Sequence, residues 1–276
     1  MGIVIGIDVG GSTTKIVGIN GEQIQSPMFI TATDPVTSLF GAFGKYIYDY
    51  GIQLVDVEQV MLTGVGSAFV NSPLYGLPTR KTDEFIANGL GARHATDIDQ
   101  LIVVSMGTGT SFVKIDGDKV QHIGGLGIGG GTLQGLSRLL LKTHDIHQVS
   151  ELAEKGDVTR GNLQIGDICN TALPDLPVSA TASLFGKADS NASQEDIACG
   201  IIYTVLQTIG GAAVLSALNS PIKDFVLIGN LTQLPQCREV FSKMEAIYHV
   251  HFHIPPYAEY RTAIGAALAY VKERQG

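Results

Sequence analysis

Gly6-Ile7-Asp8-Val9-Gly10-Gly11-Ser12-Thr13-Thr14-Lys15 is the stretch on which the reading of this 276-residue chain turns. Residues 3–9, IVIGIDV, form an apolar, β-branched run of strand length, and they lead directly into two glycines, three hydroxyl residues and a lysine. An acidic residue that closes a buried strand, next to backbone without Cβ atoms, offers the groups that hold a magnesium-bound phosphate. Asp8 orients the hydrated cation, the amides of residues 10–13 meet phosphate oxygens, and Lys15 supplies a point charge. Taken alone, the same residues also describe an ordinary hairpin turn with a solvated lysine.

A hundred residues on, the pattern returns. Apolar residues 100–105 run into Met106-Gly107-Thr108-Gly109-Thr110-Ser111, and strands over 112–115 and 119–123 follow, joined at the hairpin signal Asp116-Gly117. Two such loops, each closing a strand near the start of a half-chain, point to an internal duplication and to a nucleotide clamped between the halves. Between them the periodicity predicts a helix over 35–50, with Asp34 as N-cap and Pro35 at its first position. Val36, Leu39, Phe40, Phe43, Ile47 and Tyr50 would form its apolar face. A strand over 57–63 and a helix over 83–94 complete the first half. The second continues with helices over 132–142, 195–218 and 235–247, strands over 224–228 and 248–254, and a last helix over 261–274. Strands alternating with helices, plus hairpins, imply an α/β class with mixed sheets.

A third glycine-rich run, GGLGIGGG at 124–131, precedes the 132–142 helix. It contains a formal GxGxxG at 125–130, yet it follows an antiparallel hairpin instead of opening a βαβ unit, which excludes a dinucleotide fold. No G-x-x-x-x-G-K-[ST] occurs, so a P-loop NTPase is excluded too. Glycines at a helix N-terminus still offer amides and a positive dipole end.

Composition narrows the partners. The chain has 34 glycines, about one residue in eight, with no G-X-Y period; they cluster between apolar runs, where backbone turns and close approaches need them. Lys+Arg number 18 against 26 Asp+Glu, a net charge of −8 without a basic stripe, which argues against nucleic acid or an anionic membrane as partner. Cys169, Cys199 and Cys237 are scattered and form no CxxC, as expected of a reducing cytoplasm. The N-terminus lacks the basic region of a signal peptide. Residues 197–222 carry no charge, but Tyr203, Thr204, Gln207, Thr208 and Ser216 interrupt them and no Lys/Arg cluster flanks them, so they read as a core helix and not a membrane span. His249, His251 and His253 alternate along the 248–254 strand; a metal site is one reading and a polar outer face the simpler one.

These loops resemble the two phosphate loops of the acetate and sugar kinase, heat-shock-protein ATPase and actin superfamily. More specifically, GGLGIGGGTLQGL at 124–136, with SMGTGTS at 105–111 and TASLFGKA at 181–188, resembles the type II pantothenate kinases, over nearly the whole chain. The resemblance implies a duplicated actin-like (ribonuclease H-like) α/β fold, two mixed-sheet domains around a nucleotide cleft: residues 1–96, residues 97–260, and a terminal helix over 261–276 packing back on the first half. It implies ATP-dependent phosphorylation of pantothenate to 4'-phosphopantothenate, the first step of coenzyme A biosynthesis, with ATP and Mg²⁺, in a cytoplasmic homodimer.

By the same resemblance the catalytic base is Glu84, in Thr82-Asp83-Glu84-Phe85; its residue type alone reads as a helix N-terminal acid. ATP contacts fall on Asp8, Val9, Gly10, Gly11, Ser12, Thr13, Thr14 and Lys15, on Thr108 and Gly109, on Gly130, Gly131, Thr132, Leu133 and Gln134, and on Asn230; Asp8 is also the metal ligand. Glu84, His122 and Thr181 contact the substrate, Thr181 across a dimer interface. One departure stands out: His122 occupies a position where the family has an arginine, and imidazole lacks the guanidinium's fixed charge and fork. The alternatives are a kinase of pantetheine or an amino sugar, an ATP-binding regulatory protein without turnover, and an activating ATPase that shares an iron–sulfur cluster, against which the scattered cysteines speak.

Overall fold

The computed structural model describes residues 2–11, 13–21, 23–25, 27–31, 34–169 and 176–275. In the first half the chain runs β1 (Ile3–Val9), β2 (Thr13–Asn20), β3 (Gln23–Ile24), β4 (Met28–Thr31), α1 (Pro35–Tyr50), β5 (Val57–Thr63), β6 (Thr79–Lys81) and α2 (Glu84–Arg93). β1 lies at the centre of one sheet in the order β3-β2-β1-β5-β6, antiparallel to β2 and parallel to β5, with β4 also paired to β2.

The second half runs β7 (Gln100–Met106), β8 (Thr110–Asp116), β9 (Lys119–Leu126), α3 (Gly130–Leu140), α4 (Ile146–Ala153), α5 (Val158–Gly161), β10 (Leu163–Gln164), α6 (Ile165–Ile168), β11 (Thr181–Ser183), α7 (Gln194–Ser216), β12 (Asp224–Ile228), α8 (Pro235–Tyr248), β13 (His251–His253) and α9 (Arg261–Gln275). Its sheet has the order β13-β12-β7-β8-β9, again with the central strand antiparallel to the next strand in sequence and parallel to a later one. The expected duplication is therefore present in topology. It extends to detail: β5 and β12 are each followed by a glycine of positive φ, Gly64 (83°) and Gly229 (96°), that leads into a short 3₁₀ turn. In each, a hydroxyl three residues on donates to the glycine carbonyl, Ser67 to Gly64 and Thr232 to Gly229, both at 2.7 Å.

Local signals explain the helices. Asp34 caps α1 by accepting from the Thr37 amide at 2.6 Å, Pro35 occupies the first turn, and Gly51 in the left-handed region ends it. The buried face differs from the expected one: Leu39, Ala42, Phe43 and Tyr46 point inward while Tyr50 is 43% exposed. Tyr46 is selected because its hydroxyl accepts the Gly18 amide of β2 at 2.7 Å, a bond that Ile47 could not make. Tyr46→Phe should orphan that buried N–H and destabilise the chain by about 1–3 kcal/mol in urea unfolding; an unchanged midpoint would contradict this.

Two further expectations shift. α8 continues to Tyr248 and His249 caps it in the left-handed region, so only His251 and His253 remain on the strand; His253 Nε2 meets Asp224 Oδ1 at 2.7 Å. Among the described residues no group of three or more His, Cys, Asp or Glu side chains could hold a metal. The glycine run divides as well: Gly124 and Gly125 belong to β9, where they pair with Phe112 and Ser111, and Gly130 and Gly131 open α3. α7, the one described helix long and apolar enough to cross a membrane, has 61% of its apolar window buried, packed against α4 and α8 in the second core.

The halves are laced together by their last helices. α2 places Phe85 and Ala92 against Leu101, Val113 and Ile115 of the second sheet, while α9 places Ala263, Ile264 and Ala267 against Val4 and Val17 of the first. The two helices cross where Gly91 faces the Arg261 carbonyl and Gly265 faces the Ala87 carbonyl, each too close to admit a Cβ. At this crossing, glycine is a packing requirement.

Candidate active site

Strand ends make the site. Asp8 from β1 and Ser105 from β7 hold equivalent positions: each is the register partner of the residue that precedes Gly64 or Gly229. Both line one cavity of about 320 Å³, together with Gly10, Gly11, Thr13 and Lys15 from the first loop and with Gly107, Thr108, Gly109, Thr110 and Ser111 from the second. Val65, Glu84, Leu126, Gly229, Asn230 and Thr262 complete the lining.

The pleat sorts the first loop. Side chains alternate across a strand, so Asp8, Thr13 and Lys15 face the cavity while Val9 and Thr14 face α1. Val9 is fully buried in the first core, and Thr14 accepts the Ser38 hydroxyl at 2.7 Å. Only their backbone is left for a ligand. Gly10 donates to the Thr13 carbonyl at 3.0 Å, which keeps the turn tight, and Gly11 has open space around it. Ser12 lies outside the described residues.

The second loop and α3 are docked on each other. Gly130 N–H donates to the Gly107 carbonyl at 2.8 Å and Gly131 N–H to the Thr108 carbonyl at 2.9 Å, so the amides expected to be free for phosphate are already engaged. A Cβ at Gly129 would meet the Thr108 carbonyl oxygen at 2.6 Å, and this close backbone packing accounts for the glycines. Thr132 donates to the Gly127 carbonyl, Leu133 is in the core, and Gln134 is exposed. None of residues 130–134 lines the cavity, whereas Asn230 does.

Charge in the cavity is set by three groups. Lys15 Nζ stands 3.9 Å from Asp8 Oδ2, both side chains nearly buried. Burial pushes the Asp8 carboxyl up, and Lys15 partly offsets this. Glu84 is the first residue of α2, behind Asp83, whose carboxylate accepts the Phe85 and Ile86 amides. Its own carboxyl is pushed up to about 7, first by burial, then by Asp8 and Asp83, with Lys15 acting the other way. A carboxyl that changes charge near neutrality in a cleft is suited to move a proton.

The substrate contacts expected from sequence separate. His122, exposed on β9, stacks on Phe85 with ring centroids 3.9 Å apart and planes at 10°, next in sequence to Glu84. Thr181 lies on the two-stranded β10–β11 sheet, outside the cavity lining. Cys199 and Cys237 are buried in the second core, and burial pushes their thiols up to about 11 and 12, so neither offers a thiolate to a cluster. Sequence reasoning missed Val65, Ser105 and Thr262. Val65 follows Gly64 as Asn230 follows Gly229, so the duplication could have found it; Thr262 sits in no motif.

The Fumble family pattern matches residues 89–267. A type II pantothenate kinase of Bacillus anthracis is 30% identical over 236 residues, 82% of this chain and 82% of that one. Among solved structures, the activator of 2-hydroxyisocaproyl-CoA dehydratase from Clostridium difficile with bound ADPNP has a TM-score of 0.71 at 18% identity, covering 99% of this chain and 97% of that one. A ROK family glucokinase from Streptomyces griseus, in complex with glucose and AMPPNP, has a TM-score of 0.58 at 14% identity, with full coverage of both. At such identities the structural likeness establishes the duplicated actin-like fold and nothing finer.

Proposed function

The chain belongs to the Fumble family, with the type II pantothenate kinases as its relatives, and on that premise we propose that it is an ATP-dependent kinase transferring the γ-phosphoryl group of ATP to the primary hydroxyl of pantothenate, the first step of coenzyme A biosynthesis. The observation that carries this reading is the convergence, in one cavity between two duplicated halves, of two strand-end glycine loops with Asp8, Lys15 and a carboxyl poised near pH 7.

In this reading the ATP phosphates lie between the two loops. Gly10, Gly11 and Thr13 face them from one side, and Thr108, Gly109 and Asn230 from the other, with the glycines letting backbone approach. Lys15 neutralises charge that develops on the transferring group. Asp8 fits Mg²⁺ in a way that a multi-carboxylate cage would not: one nearly buried carboxylate at the phosphate loop matches an ion that keeps waters and shares its coordination with phosphates. Held by Asp8, Mg²⁺ would supply charge neutralisation to the nucleotide's phosphates. As the acceptor oxygen bonds to phosphorus and the bond to the ADP oxygen breaks, Glu84 takes the hydroxyl proton. His122, beside Phe85, meets the acceptor from β9.

Residues 130–134 support the second loop from behind, a role that fits the Gly130 and Gly131 amides closing on Gly107 and Thr108. Thr181 serves the acceptor site of a second copy, which makes the working form a homodimer. The units are residues 1–96, residues 97–260 and the terminal helix 261–276, and the enzyme works in the cytoplasm without a nucleic-acid or membrane partner. ADP release measured side by side with pantothenate, pantetheine and glucosamine, each with Mg·ATP, tests the reading. Pantothenate should give the highest kcat/KM; a preference for glucosamine, or ATP binding with no acceptor-dependent ADP, would refute it.

A further inference from the structure

We propose that Asn88, held by Thr262, is a positioning residue for Glu84, an inference that rests on Glu84 being the base of the reaction described above. Glu84 and Asn88 are one turn apart on α2, and side chains of an α-helix lean toward its N-terminus. The i,i+4 spacing therefore puts Asn88 on the same face of α2 as Glu84, with its amide directed toward the turn from which Glu84 projects. Asn88 is wholly buried. Its Oδ1 accepts the Thr262 hydroxyl at 2.7 Å, which fixes the amide, and its Nδ2 is buried without a partner.

Thr262 connects this amide to the rest of the site. It lines the cavity beside Asp8 and Glu84, and it belongs to α9, which packs on β1, the strand of Asp8. The pair stands beside the Gly91–Gly265 crossing, where backbones approach too closely for side chains to slip. The Asn88–Thr262 bond thus ties the helix bearing Glu84, docked on the second sheet, to the helix docked on the first.

An unpaired buried N–H is unfavourable, and an apolar residue of the same size would avoid that penalty. The amide has a use once the acceptor is bound. Asn88 Nδ2 donates to the Glu84 carboxylate oxygen that does not face the acceptor, which leaves the other oxygen aimed at the hydroxyl. Asn88 itself touches no substrate and moves no proton. The misalignment its loss allows is the kind that slows chemistry while leaving nucleotide binding intact.

The test compares the full-length parent with Asn88→Ala, Thr262→Val, Thr262→Ser and Glu84→Gln, and with Asn88→Ala combined with Glu84→Gln. ADP release with pantothenate gives kcat and KM for ATP. Asn88→Ala and Thr262→Val should lower kcat about 10–100-fold with KM for ATP unchanged, and Thr262→Ser, which keeps the hydroxyl, should restore most of it. Asn88→Ala should cost nothing further once residue 84 is Gln. If it lowers the residual rate of Glu84→Gln by the same factor as the parent rate, or if KM for ATP rises with the loss, Asn88 acts through the fold alone and the proposal falls. Should Asn88→Ala fail to fold, Thr262→Val against Thr262→Ser decides: parental kcat in Thr262→Val overturns the proposal. Parental turnover in Glu84→Gln alone would instead remove the reading of Glu84 as base, and the positioning role with it.

Discussion

Glu84→Gln is expected to lower kcat about 10²–10⁴-fold and at the same time to stabilise the protein at pH 8. If Glu84 is the base proposed above, the variant removes the proton acceptor while the loops, Asp8 and Lys15 are left in place, so nucleotide binding should persist. The gain in stability follows from the carboxyl's surroundings. Burial, Asp8 and Asp83 hold it up at about 7 in the folded chain against an ordinary value of 4.5. Between these values the folded chain binds a proton that the unfolded chain has released, so stability falls as pH rises through this window and stays reduced above it. An amide carries no such penalty. With allowance for solvent reaching the cavity, the gain at pH 8 should be about 1–2 kcal/mol, a melting point higher by a few degrees, and it should vanish below pH 4.5, where both side chains are neutral. Melting curves at pH 4 and 8, with ADP release at pH 8, check both halves. Near-parental turnover would remove Glu84 from the chemistry, and a stability change of the same size at both pH values would show that its charge is not what strains the site. With Glu84 as the base, kcat/KM for pantothenate should rise with pH on the acid side, and a flat acid limb in the pH–rate profile would count against that role.

The contrast between Glu84 and the loops shows what a sequence carries. Asp8, Gly10, Gly11 and Lys15 in the first loop, and Thr108 in the second, are legible because the chemistry expected of them depends on clustering within a few positions of a strand end, a local property. Glu84 reads locally as a helix N-terminal acid, and Asp83 does cap that helix. What makes Glu84 different is burial beside Asp8, a strand 76 positions earlier, and no periodicity encodes that. The resemblance to known kinases supplied it. Val9, Thr14 and Leu133 entered the expected contact set through the resemblance, carried over as contiguous runs, whereas the pleat and the helix face turn these side chains into the core. Gly130 and Gly131 entered through the same resemblance, in keeping with the amides that glycines before a helix offer, yet here those amides close on Gly107 and Thr108. The sheet order and the position of Asn230 were within reach of pattern reasoning, since the second half repeats the first. Thr262 was out of reach: it gains its place only when α9 folds back across the first sheet.

That return of α9 underlies the largest expected effect on stability. Gly265→Ala should cost more than about 3 kcal/mol or prevent folding. A Cβ there would fall well inside van der Waals distance of the Ala87 carbonyl oxygen and within 2.7 Å of the Gly91 nitrogen, and both are backbone of α2, unable to step aside as a side chain would. Relief requires α2 and α9 to separate. α2 is fixed by Ala92 and Phe85 in the core of the second sheet, and α9 by Gly6 and Ala263 against the first, so separation strains both halves at once. The same movement pulls Thr262 from Asn88 and shifts Glu84 relative to Asp8, so whatever fraction folds should also turn over slowly. Gly135→Ala supplies the control. Gly135 lies within α3, where an added methyl would meet nothing within 4 Å and φ is not positive, and alanine there should stabilise by up to about 1 kcal/mol through helix propensity alone. The same added methyl group therefore has opposite signs at two helical glycines. Urea unfolding of the pair measures the difference, and a Gly265→Ala midpoint at or above that of Gly135→Ala would mean that the crossing yields where its backbone contacts say it cannot.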